Sequence, residues 1–97
     1  MDTVSRERRV EVVSRIIDAW GLDSSQKAKI LDDKDRVLGV LSIYESLQCI
    51  YSESLERALQ WPLRPNREFG NTPPIDAIVD GDIEKVKKYL RYHCYNG

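Results

Sequence analysis

The sequence predicts an all-α fold: a small single domain of five or six short helices, with a proline-rich turn before the last two. Apolar residues recur at intervals of three and four in several separate segments, which is the period of a helix face. Residues that favour helix starts and ends bound these segments, and no segment predicts a strand. All four prolines fall between Trp61 and Gly81, where they exclude a regular helix interior or a central strand.

The first predicted helix runs from Val4 to Trp20, and Gly21 ends it. Its narrow apolar seam consists of Val10, Val13, Ile17 and Trp20. Two heptads are too few for a coiled coil, so the pattern favours packing inside the domain over a contact with a second copy of the chain. Self-association through this seam stays open as the alternative.

A short second helix is predicted from Asp23 to about Leu31, because Asp23 and Gln26 have the spacing of a capping box. The third helix, from about Asp33 to Tyr51, has the longest apolar stripe and is predicted to be the centre of the domain. Its opposite, polar face carries Ser42, Glu45, Ser46 and Cys49. Gly39 in this helix either costs about 1 kcal/mol or permits a close helix crossing.

Ser52 is predicted to cap a fourth helix that runs to Trp61, where Pro62 stops it. The proline-rich turn follows, and Trp61 and Phe69 are expected to hold it against the core. A short helix then begins at Thr72 or Pro73 and closes at Asp80-Gly81. Asp82 is predicted to cap the last helix, whose core stripe is Ile83, Val86, Leu90 and Cys94.

Composition argues against several classes of function. The 15 basic and 16 acidic residues give a net charge of -1, which supplies no overall attraction for nucleic acid or an anionic membrane. No apolar run is long enough to span a membrane. The two cysteines predict reduced thiols in a cytoplasmic protein. His93 is the only histidine, so we expect neither an enzyme nor a metal protein, and no cofactor.

The end of the chain has the composition of an interface. Tyr92 is predicted on the polar side of the last helix, near Arg91, and Tyr95 leads into a flexible tail. Exposed tyrosine and arginine side chains are enriched in the residues that dominate binding energy. The alternative is a frayed terminus with incidental aromatic residues.

An ordered set of motifs begins at residue 36. It comprises Arg36-Val37-Leu38-Gly39-Val40, Tyr44-Glu45-Ser46-Leu47, Trp61, Pro65-Asn66, Phe69-Gly70, Pro74, Gly81-Asp82, Val86, Tyr89-Leu90 and Gly97. In this order and at this spacing, residues 36–97 resemble the C-terminal toxin-binding domain of the Xre, MbcA and ParS antitoxin family. Residues 1–35 resemble a reduced remnant of that family's N-terminal helix-turn-helix region.

The resemblance implies a protein that binds and sterically inhibits a RES-domain toxin, an NAD-consuming or ADP-ribosylating enzyme. The last helix and tail would lie at the toxin's active site. The implied toxin-binding residues are Arg91, Tyr92, Tyr95, Asn96 and Gly97, with Arg64, Asn66 and Arg67 as a second patch. The resemblance also implies a homodimer or a hetero-oligomer with the toxin.

The alternative function is a DNA-binding regulator of a toxin–antitoxin operon. That family reads its promoter with a recognition helix, and the segment between Leu31 and Arg36 is too short to contain one. DNA binding by this chain is therefore doubtful.

Overall fold

A computed structural model describes residues 2–96, with residues 2–6 described as backbone only. The described chain contains six α-helices, in agreement with the prediction: α1 Asp2–Ala19, α2 Ser24–Leu31, α3 Lys34–Ile50, α4 Leu55–Gln60, α5 Pro74–Asp80 and α6 Ile83–Asn96. Two single 3₁₀ turns, Trp61–Leu63 and Arg67–Phe69, lie between α4 and α5. In residues 2–96 the extended pairing is limited to one isolated bridge between Asn66 and Thr72.

Helix α3 is the centre of the domain, as predicted, and it contacts α1, α2, α4 and α6. Its core side chains Val40, Ile43 and Leu47 are completely buried. One hydrophobic cluster joins α3 to residues from α1, α2, α5 and α6. The parts on either side of the predicted boundary at residue 35 therefore share a single core.

Helices α3 and α6 run side by side in the same direction. Gly39 meets Ile83 near their N-terminal ends, and Cys49 meets Cys94 near their C-terminal ends. A Cβ atom on Gly39 would lie only 2.5 Å from Cδ1 of Ile83. Of the two roles predicted for Gly39, the structure therefore selects the close helix crossing.

The prediction of reduced thiols was wrong, because a disulfide joins Cys49 to Cys94. The predicted polar face of α3 was also wrong in part, since half-buried Ser42 and Ser46 border a groove beside α6. The two cysteines are 45 residues apart in the sequence. Only the parallel packing of α3 and α6 brings them together.

The seam of α1 packs inside the domain. Val13, Ile17 and Trp20 are at most 4% exposed, and Ile16 is buried beside them. Packing inside the domain, which the pattern favoured, is therefore confirmed for three of the four seam residues, and these three are already covered by the chain itself. Val10, the fourth, is half-buried and lines a groove of about 210 Å³ between α1 and α3.

The N-terminal cap predicted from the sequence is correct for α2 and wrong for α4. The capping box is present, with Gln26 N donating to Asp23 Oδ1 at 2.8 Å and Asp23 N donating to Gln26 Oε1 at 3.0 Å. The cap of α4 is Ser54, which accepts from Arg57 N at 3.2 Å, and not Ser52. Ser52 lies in the turn that separates the two helices, so its good capping chemistry is not used.

The fourth helix stops before Pro62, within one residue of the predicted end at Trp61. Helix α4 ends at Gln60, and residues 61–63 continue as a 3₁₀ turn with Pro62 in its first positions, where a missing N–H costs little. Gly70 and Asn71 then adopt positive φ values of 68° and 64°, which reverse the chain. The turn is held to the core by Phe69, which is 7% exposed.

Arg36 fixes α2 and α5 relative to α3. Its Nη1 donates to the carbonyl of Val79 at 3.2 Å and to that of Lys29 at 3.4 Å, and Nε lies 3.5 Å from Asp33 Oδ2. Both carbonyls belong to the last turns of their helices, where a cation is favoured and acceptors are otherwise unsatisfied. No helix in the described chain is long and apolar enough to cross a membrane.

Candidate partner-binding surface

The last six residues of α6 lie beyond its last buried side chain. Leu90 is its last buried residue, whereas Tyr92 is 63% and Tyr95 is 81% exposed. The helix nevertheless continues to Asn96, whose Nδ2 donates to the carbonyl of Tyr92 at 2.9 Å. The flexible tail predicted from Tyr95 onward is therefore corrected to a helix as far as Asn96.

The site residues predicted in α6 are mostly where the sequence placed them. Arg91, Tyr92, Tyr95 and Asn96 are all exposed. Gly97 lies outside the described residues. The exposed residues from Arg91 to Asn96 form a surface that we call the α6 end.

One side of the α6 end belongs to an aromatic run, which consists of Trp61, Phe69, Tyr89, Tyr92 and His93. The rings of Trp61 and Tyr89 stack with centroids 5.8 Å apart, and Phe69 meets Tyr89 edge-on at 5.5 Å. His93 lies 4.4 Å from Tyr89 and 5.5 Å from Tyr92. Such pairs are stabilising beyond the area they bury. The run thus connects the proline-rich turn to the exposed tyrosine.

The other side of the α6 end borders a polar groove between α3 and α6. Its volume is about 270 Å³, and it is lined by Ser42, Glu45, Ser46, Arg91, Cys94 and Tyr95. The predicted residues therefore divide between two sides of one helix: Tyr92 belongs to the aromatic run, whereas Arg91 and Tyr95 border the groove.

The second predicted patch is divided in a similar way. Arg64 is exposed, and its Nη2 donates to Gln60 Oε1 at 2.7 Å. It lines a small groove together with Trp61, the first member of the aromatic run. Arg67 is also exposed. Asn66 is half-buried, and its Oδ1 accepts from Glu68 N at 2.9 Å, so it shapes the turn.

The charge of α6 differs from that of the chain as a whole. After Glu84 the chain has no acidic side chain, but it has Lys85, Lys87, Lys88 and Arg91. Lys85 lies over the ring of Phe69 at 5.1 Å, and Lys87 pairs with Glu84. A net charge of -1 thus conceals an excess of basic side chains on α6, with Lys85 beside the aromatic run and Arg91 at the polar groove, and such an excess attracts an acidic partner.

Two residues of this surface were missed by the sequence reasoning. Tyr89 was noted only for the resemblance, and His93 only as the single histidine of the chain, yet His93 is exposed and packs against two tyrosines. The spacing of Tyr89, Tyr92 and His93 at three and four residues was the available signal. Among the described residues no group of three or more His, Cys, Asp or Glu side chains could hold a metal ion.

Comparison with known proteins finds a distant likeness. The chain is 27% identical over 112 aligned residues to a Sinorhizobium fredii (strain NBRC 101917 / NGR234) protein named "Uncharacterized protein y4oB", and the match spans 92% of this chain and 86% of that protein. No protein-family model matches the chain. No solved structure matches it.

Proposed function

We propose that this chain is an antitoxin-like binding module that inhibits a RES-domain toxin by placing the α6 end at the toxin's active site. The toxin-binding residues are Arg91, Tyr92, Tyr95, Asn96 and Gly97, and Arg64 and Arg67 contribute a neighbouring contact. One observation carries the proposal: α6 continues for six residues beyond its last buried side chain and presents two largely exposed tyrosines.

The chemistry of the α6 end supports binding and not a reaction. A helix that extends past its own core can enter a cleft of another protein with its backbone hydrogen bonds already formed, which lowers the entropic cost of association. Tyr92 and Tyr95 supply apolar contact area together with a hydroxyl, and Arg91 supplies a charge-assisted donor. Inhibition would be steric, because an occupied cleft excludes the toxin's NAD.

The basic surface of α6 supports a partner with an acidic rim. Complementary charge raises the rate of association more than it raises affinity, and salt screens it. We therefore expect the association rate with the toxin to fall with ionic strength, with a smaller change in the dissociation rate.

The proposal is tested by co-expression with a RES-domain toxin from the same genome, first shown to arrest growth when it is expressed alone. We expect Y92A and Y95A each to weaken toxin binding about tenfold or more, the loss typical of an aromatic anchor. The double variant should no longer protect growth or the cellular NAD level. Leu55→Ala is the matched control, because Leu55 is 55% exposed on α4 and lies outside the proposed surface.

Circular dichroism must show that the double tyrosine variant is as helical as the wild type. Full protection by that variant at equal expression would contradict the proposal. Protection lost equally in the Leu55→Ala variant would point to instability and also count against it.

The alternative, a DNA-binding regulator, has less support. Helix α2 ends at Leu31 and α3 begins at Lys34, so only two described residues separate them. We expect no salt-dependent binding of this chain alone to its own upstream DNA in a gel-shift assay. A specific shift that is lost on substitution of Arg8 and Arg9 would favour the regulator instead.

A further inference from the structure

The disulfide lies where α6 leaves the core. Cys49 is in the last turn of α3, and Cys94 is in the last turn of α6. Cys49 is exposed and Cys94 is half-buried at the edge of the polar groove. The bond is therefore close to the surface, where a thiol in solution can reach it.

Little else attaches the α6 end to the rest of the domain. Beyond Leu90, which is 1% exposed, no described residue of α6 is buried. The aromatic contacts of His93 with Tyr89 and Tyr92 and the hydrogen bond from Asn96 to Tyr92 lie within α6, and on the side of α3 the segment borders an open groove. A short helical segment without buried tertiary contacts is marginally stable in water.

We propose that the Cys49–Cys94 disulfide is a thiol–disulfide exchange site, and that its reduction releases the segment from Arg91 to Asn96 from α3. The reductant is a dithiol, either a small molecule or a protein with two neighbouring cysteines. The core, which ends at Leu90, keeps its fold.

The exchange balances without any other reactant. One thiolate of the dithiol attacks the sulfur of Cys49, the more exposed residue of the pair, the bond to Cys94 breaks, and Cys94 leaves as a thiolate that takes up a proton. The second thiolate of the dithiol then displaces Cys49, which also takes up a proton. Two electrons pass to the protein, and the dithiol becomes a disulfide.

The consequence for partner binding rests on the proposed function. In the oxidised chain the helix presents Tyr92 and Tyr95 in fixed positions, so binding does not have to order them. In the reduced chain the segment must be ordered on binding, which lowers affinity. Reduction would thus weaken the inhibitor without unfolding it.

The test is amide hydrogen exchange of the full chain, oxidised and after treatment with dithiothreitol, with cysteine alkylation to confirm each state. We expect exchange of residues 91–96 to accelerate by about tenfold or more on reduction, because the segment loses its covalent cross-link to α3. Amides of the core helices, including those from Val86 to Leu90, should change much less. The Cys49→Ser/Cys94→Ser double variant should behave like the reduced chain and ignore dithiothreitol.

Two results would overturn the inference. Unchanged exchange at residues 91–96 would mean that the disulfide does not hold this segment. Equal acceleration throughout the chain would mean that the bond maintains the whole fold. If the segment loosens but affinity for the toxin is unchanged, the exchange site stands, and the proposed role of the α6 end in binding fails.

Discussion

Replacing Gly39 by alanine tests the parallel packing of α3 and α6 that positions the α6 end. Two effects of this substitution oppose each other. Alanine favours a helix by about 1 kcal/mol over glycine. Its Cβ, however, would lie 2.5 Å from Cδ1 and 3.0 Å from Cγ1 of Ile83, a residue that is 6% exposed. Overpacking a closed core costs about 1–3 kcal/mol.

We therefore expect the Gly39→Ala variant to lose about 1 kcal/mol of unfolding free energy, the middle of the overpacking range less the gain in helix propensity. Ile83→Val removes Cδ1, the atom that makes the closest contact. By itself this change should cost about 0.5–1.5 kcal/mol. In the Ile83→Val background the alanine should be close to neutral or stabilising, which gives a coupling energy of about 1–2 kcal/mol between the two sites.

The assay is urea unfolding of the wild type, both single variants and the double variant, followed by circular dichroism. A matched comparison of Glu45→Ala with Glu45→Gly, at an exposed position of the same helix, measures the alanine–glycine difference where no neighbour interferes. Additivity of the two substitutions within about 0.5 kcal/mol would refute the close crossing. The close crossing would also be refuted if Gly39→Ala raised the free energy of unfolding by as much as the difference between the Glu45→Ala and Glu45→Gly variants.

Three further predictions follow from single side chains, each measured by equilibrium unfolding. Arg36→Met should lose about 1–3 kcal/mol, because the carbonyls of Lys29 and Val79 lose a charged donor; an unchanged midpoint would show that water replaces it without cost. Asp23→Ala should lose about 0.5–2 kcal/mol with the capping box, whereas Asp23→Ser should retain most of the stability. Phe69→Ala should lose about 3–5 kcal/mol and abolish the anchoring of the proline-rich turn; a loss below about 1 kcal/mol would mean that the turn packs independently of this ring.

Local chemistry in the sequence predicted most of the helices. The capping box at Asp23 and the glycine at residue 81 act on their nearest neighbours, so their outcome does not depend on the rest of the fold. The same reasoning failed between α3 and α4, where Ser52 and Ser54 have equal capping chemistry. Helix α3 ends with Tyr51 as its C-cap, and residues 51–53 form a turn, so Ser54 is the residue that caps the next helix.

The candidate surface was predicted only in part. The exposure of Tyr92 and Tyr95 follows from helical periodicity, since both lie off the stripe of Ile83, Val86 and Leu90. Periodicity does not show that Trp61 stacks on Tyr89, because the two residues are 28 positions apart on different elements and meet only after the proline-rich turn folds back. The contact between the proline-rich turn and α6 therefore depends on the tertiary structure.

The sequence by itself determined the helical class, the capping box of α2 and most of the side chains that enter the core, because propensity, capping and helical periodicity act over a few residues. Only the tertiary structure decided that α3 and α6 run parallel, that Cys49 bonds to Cys94 and that the α1 seam is covered. These are contacts between distant parts of the chain. They depend on how helix faces fit together, and many sequences with the same periodicity would fit in other ways.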